Sequence, residues 1–170
     1  MRSIFILLVS SLLFLSCSKT TDQDYMKKAS ESVKDNKVSD AVQDYQSLLK
    51  EYPNSKLAPQ ALRELAMLYQ NKMVKDVSET ESLTKAAELY KSVFDKYPDS
   101  DIAPPSLFMS GFIQANDLKH YNKATAIYKT FLEKYPKHQL AASATEELKY
   151  MGLSPEQILQ KKKSDSTQNL

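Results

Sequence analysis

One frame of three residues governs what this chain can fold into. An alanine is followed by tyrosine four positions later and by proline eight after that, three times over: Ala41/Tyr45/Pro53, Ala86/Tyr90/Pro98 and Ala124/Tyr128/Pro136. Within each copy the apolar residues fall at steps of three and four, the stripe of an amphipathic helix. In the first these are Ala41, Val42, Tyr45, Leu48, Leu49 and Tyr52. Every run stops at a Tyr-Pro pair, where proline withdraws the N–H that a continuing helix needs and restricts the residue before it. A stretch such as "VFDKYPDS" (93–100) is therefore punctuation, with Val93, Phe94 and Tyr97 on the packing face and Asp95 and Lys96 toward solvent.

Upstream of each frame stands a small residue: Ala29, Ala66 and Gly111. It precedes the frame alanine by 12 positions in the first unit, 20 in the second and 13 in the third, and it follows the previous proline by 13 in both countable steps. A small side chain lets two antiparallel helices approach closely, and the tyrosine fills the space between neighbours. Here the chain resembles the tetratricopeptide repeat family, with Tyr for the usual Phe and Leu65-Ala66…Tyr69 as the other half of the pattern.

The resemblance implies an all-α fold, a right-handed superhelical stack of helix hairpins. Repeats are expected at about 22–55, 56–100 and 101–138, with a capping helix at 139–151, as the open end of such a stack requires. Helices are expected at about 22–34, 39–52, 57–72, 82–97, 103–117, 121–135 and 139–151. Asn54-Ser55 and Asp99-Ser100 offer side-chain oxygens for the next helix start. Lys137-His138 replaces that pair in the third copy, leaving the last start less well specified. The eight extra residues of the second unit lie within "NKMVKDVSETES" (71–82), either as lengthened helices or as a polar loop, with Ser78 to Glu81 available as a capping box.

The first residues suggest a destination. Arg2, an apolar run from Ile4 to Leu15 and small Ser16 form an export signal over 1–16. That run is far shorter than the roughly 20 residues a membrane-crossing helix needs. Cys17, the single cysteine, follows at once; "LFLSC" resembles the lipobox of bacterial lipoproteins, in which this cysteine carries the lipid. A lone thiol has no internal disulfide to form. Residues 17–21 would then be a polar tether, and Ser18, not aspartate, favours the outer membrane facing the periplasm. At the other end, 153–170 reads as a short helix capped by Ser154 with Pro155 at its first position, then a disordered basic tail. Lys161–Lys163 could touch anionic headgroups or simply solubilise that tail.

No catalytic constellation stands out. A net charge of +2 with interspersed signs gives no nucleic-acid stripe. His120 and His138 read as surface turn residues with no metal motif, Glu146-Glu147 as solvent charges, and there is neither a phosphate loop nor a nucleophile elbow. The expectation is no cofactor, no metal, no small-molecule substrate and no enzyme activity.

What remains is a binding surface for other proteins. In the tetratricopeptide repeat family, contacts come from positions three before and one after the small residue, which here are Met26 and Ser30, Arg63 and Met67, and Phe108 and Phe112. "LFMSGFI" holds more large apolar residues than hairpin packing needs; Phe108 and Phe112 either anchor a partner or pack under the last helix. Repeats plus lipobox resemble the outer-membrane assembly lipoproteins of the BamD/YfiO type and, equally, the three-repeat domain of the Tol-Pal coordinator CpoB/YbgF. The implied partners are envelope proteins, with the membrane reached through Cys17. An enzyme or solute-receptor role fits less well, since the repeats consume nearly all of the chain.

Overall fold

The computed structural model describes residues 19–167. The signal expected over 1–16 and Cys17 lie outside the described residues. Among these residues the chain is all-helical, without strands: α1 (Asp22–Lys34), α2 (Val38–Glu51), α3 (Ala58–Gln70), α4 (Glu79–Lys96), α5 (Ala103–Phe112), a π-helical turn (Ile113–Asp117), α6 (Tyr121–Lys134), α7 (Ala141–Tyr150) and α8 (Pro155–Thr167). Helices α1/α2, α3/α4 and α5/α6 pair as three hairpins, and each hairpin stacks on the next through α2/α3 and α4/α5. None of the described helices is long and apolar enough to cross a membrane.

The spacing residues sit where close packing needs them. Ala29, Ala41, Ala66, Ala86 and Ala124 are fully buried, as are or nearly are Tyr45, Tyr90 and Tyr128. A Cβ built on Gly111 would lie 3.0 Å from Tyr128 Cε1 and 3.2 Å from Ile127 Cγ2, so α5 and α6 approach more closely than alanine allows. Pro53, Pro98 and Pro136 stay exposed at the junctions.

Those junctions are copies of one another. Tyr52, Tyr97 and Tyr135 end their helices with φ near −130° and ψ near 50°. Two residues past each proline, the amides of Ser55, Ser100 and His138 donate back to the tyrosine carbonyls at 3.0–3.1 Å. The expected side-chain help is present too: Ser55 Oγ accepts from Leu57 N at 3.0 Å and Ser100 Oγ from Ile102 N at 3.3 Å. Contrary to expectation the third junction is equally defined, because His138 Nδ1 accepts from Leu140 N at 3.2 Å and takes the serine's place.

Two irregular spacings resolve differently. In the second unit α3 is not lengthened. It ends at Gln70 with Lys72 in the left-handed region, closed by bonds from Met73 N to Leu68 O and Lys72 N to Tyr69 O, the pattern that also ends α1 around Asn36. Only α4 gains a turn, starting at Glu79, with Ser78 Oγ accepting from Glu81 N. The remaining insertion is not a plain polar loop, since Met73 and Val74 pack on the first hairpin's core beside Val38 and Val42. In the third unit the one extra residue widens the helix into the π turn, where Leu118 N donates to Ile113 O five residues back.

Both chain ends depart from the expected tether and tail. Thr21 caps α1 in a reciprocal box with Asp24, Tyr52 Oη donates to Thr20 O at 2.7 Å, and the Lys19 ammonium lies 5.1 Å from the Tyr52 ring centre. The described part of 17–21 is therefore packed against the first junction. At the C-terminus, α8 runs through Lys161–Lys163 to Thr167, where disorder was expected. It is not a second hairpin helix: none of residues 155–165 is buried. The step of thirteen from Pro136 puts Lys149 where Ala66 and Gly111 stand in earlier copies. Lys149 instead pairs with Asp165 of α8, and its carbonyl accepts from Lys161 Nζ at 3.0 Å.

Candidate partner-binding groove

The first helices of the hairpins leave two adjoining hollows along one face of the stack. Between α1 and α3 a cavity of about 300 Å³ is lined by Ser30, Lys34, Gln60, Glu64 and Met67. Between α3 and α5 a second, of about 270 Å³, is lined by Arg63, Met67, Tyr90, Pro105, Ser106 and Met109. Met67 and Asn71 belong to both, so the hollows form one continuous groove.

Four of the six expected contact residues lie on or beside this groove, and two do not. Met26 is half-buried against the first hairpin's core, and its carbonyl accepts from Ser30 Oγ at 2.9 Å. Ser30 itself faces the first cavity. Arg63 lies at the second, with one terminal nitrogen 3.0 Å from Glu64. Met67 is 37% exposed at the meeting point.

Phe108 is not a groove residue. Its ring sits 5.5 Å from that of Tyr128 and 6.0 Å from that of Phe131, inside the third hairpin's core. Small Ala141 and Ala144 on α7 leave room there that Phe108 fills. Phe112 is half-buried at the start of the π turn and lines neither cavity. Met109 takes the groove position instead.

The groove floor is polar and tightly held. Tyr90 Oη donates to Gln70 Oε1 at 2.7 Å, and burial pushes the Tyr90 phenol up to about 12. Its counterpart Tyr128 has Ala115 rather than a glutamine beside it; its hydroxyl is buried facing Glu147 without meeting hydrogen-bond geometry. Burial first, then the Glu147 carboxylate, raises that phenol further still. Asn116 Nδ2 has taken Glu147, at 3.1 Å.

Sequence reasoning missed Gln70, Ser106 and Met109. A signal for Ser106 existed: it occupies the position that alanine fills in neighbouring copies, at Ala61 and Ala144. The two histidines serve local structure, His120 Nδ1 lying 2.9 Å from Gln114 Oε1 and His138 capping as described. No three His, Cys, Asp or Glu side chains among the described residues come together as a metal-holding group.

Comparison with known families agrees with this architecture. The tetratricopeptide repeat profile matches residues 25–55 and 106–138, which are the first and third hairpins with their closing turns. No curated protein matches the chain. Domains built from such repeats mediate protein–protein interactions.

Proposed function

We propose that this tetratricopeptide repeat protein is an exported scaffold, lipid-anchored through Cys17 at the outer membrane and facing the periplasm, that holds other envelope proteins in the groove along α1, α3 and α5. The observation that carries the binding role is Met67. Of the large apolar side chains exposed among the described residues, Met67, Tyr121 and Leu159, it alone lies in the groove, shared by both cavities. An apolar anchor rimmed by Arg63, Glu64 and Gln60 suits a partner segment better than a small polar metabolite. The anchor reading is supported by the short apolar run that ends at Ser16-Cys17.

Outer-membrane protein assembly is the role we assign. A specific observation favours a second reading: three complete hairpins match the repeat number of the Tol-Pal coordinator, whereas the assembly lipoproteins usually carry about five repeats. A photo-crosslinker at Met67 in intact cells separates the two. Capture of porin-assembly components supports the first and capture of Tol-Pal proteins the second; no envelope partner at Met67, with the variant present at normal level, overturns both. For the anchor, Cys17→Ser should abolish fatty-acid labelling and release the protein from the membrane fraction. Retention without change would sink it.

A further inference from the structure

Two buried groups at the α3–α5 cavity lack partners. Ser106 is 1% exposed and its Oγ makes no hydrogen bond, and the Nε of Arg63 is buried in the same condition. Both residues line the same cavity. Buried polar groups in folded proteins are nearly always paired, and one that is not calls for a reason. Packing does not supply it, because fully buried Ala61 and Ala144 fill the corresponding space in other copies.

The chemistry of the missing partner follows from the two groups. The Arg63 Nε–H can only donate and belongs to a cation; the Ser106 hydroxyl can donate as well. An acceptor satisfies both, and a negative one satisfies the charge. Glu64 occupies only one terminal nitrogen of the guanidinium, which leaves donors for a second carboxylate. A rotation of Ser106 about χ1 brings its hydroxyl to bear. Met67 joins the cavity to its neighbour, so an occupant continues along the groove instead of ending in it.

We infer that the α3–α5 cavity takes the carboxylate of a glutamate or aspartate side chain within an extended partner segment, with Arg63 and Ser106 as its donors and Met67 and Met109 against the apolar residues beside it. This rests on the groove reading above and names the chemistry of its ligand.

Fluorescence anisotropy with the full chain in detergent tests it, using three labelled heptapeptides. One has both ends blocked and a central Glu between leucines, the second has Gln in its place, and the third is the Gln peptide with a free C-terminal carboxylate. The Glu peptide should saturate and bind at least about tenfold tighter than the blocked Gln peptide. Ser106→Ala should remove about tenfold from Glu-peptide binding, leave the Gln peptide unchanged and not lower Tm, since its hydroxyl has no bond to lose. Arg63 is one of two arginines in the chain. Its Nε–H signal, identified by its loss in Arg63→Lys, should move with the Glu peptide only. Equal binding of the blocked Glu and Gln peptides, indifference to Ser106→Ala, or no saturable binding overturns the carboxylate site. Tight binding of the free-terminus peptide alone overturns the side-chain form. Crosslinking at Met67 reads the scaffold role independently, so the two failures are distinguishable.

Discussion

The phenol of Tyr97 donates to the carbonyl oxygen of Pro53, 44 residues earlier, at 2.9 Å. The tyrosine that closes one hairpin thus ties down the proline that closed the hairpin before it. Tyr135 reaches Pro98 in the same way, but at 3.5 Å. A bond at that length is at the edge of useful geometry. Tyr97→Phe should therefore cost about 1 kcal/mol of stability and Tyr135→Phe much less. Denaturant unfolding of both variants checks this, and equal losses would count against the inter-hairpin tie.

The paired tyrosines inside the hairpins give a sharper contrast. Tyr90→Phe removes a 2.7 Å bond and strands Gln70 Oε1, at a cost of about 1 kcal/mol or somewhat more. Tyr128→Phe removes a buried hydroxyl that has no partner, and should leave stability unchanged or raise it. Calorimetry on the two purified variants at neutral pH decides; a matching loss from Tyr128→Phe would mean its hydroxyl is bonded.

Alkaline pH should loosen the stack through the same residues. In the fold the Tyr90 phenol titrates near 12 against an ordinary value of 10.0, and the phenols of Tyr45, Tyr97, Tyr128 and Tyr135 are also raised, chiefly by burial. A raised folded value favours the protonated form, so its contribution is complete below pH 10 and is lost as pH climbs toward 12. Stability measured across that window should fall, and Tyr90→Phe should flatten part of the fall.

Gly111→Ala is expected to destabilise even though alanine serves at Ala29 and Ala66. The new methyl would press on Tyr128 Cε1 at 3.0 Å and Cζ at 3.1 Å, and that ring is fully buried. Overpacking of this kind costs about 1–3 kcal/mol, against a gain of up to about 1 kcal/mol in helix propensity. A net loss near 1 kcal/mol should appear as a lower Tm, whereas a gain would mean that α5 and α6 can move apart freely.

The hairpins were legible because their constraints are local and repeated. Tyr-Pro stops a helix wherever it occurs, and Ala41, Ala86 and Ala124 mark one face by spacing alone. The extra residue between Gly111 and Ala124 could be counted, but its form could not, since a π turn and a longer loop use the same number of residues. Phe108 was misplaced for a different reason: its direction depends on how little Ala141 and Ala144 fill, a matter of three-dimensional volume. His138 was read as a missing cap because its ring nitrogen is an acceptor only in the neutral tautomer set by the adjacent Leu140 amide. Ser106 became visible as a site residue only when its hydroxyl proved to be buried without a bond.

Lys149 gives the stack a definite length. Identical junctions at Tyr52, Tyr97 and Tyr135 could in principle propagate without limit, and a second copy docking end to end would need only another small residue to receive its helix. An ammonium at that spot, already paired with Asp165, refuses it. The chain counts to three and stops, and it is barred from growing into a filament by the same residue.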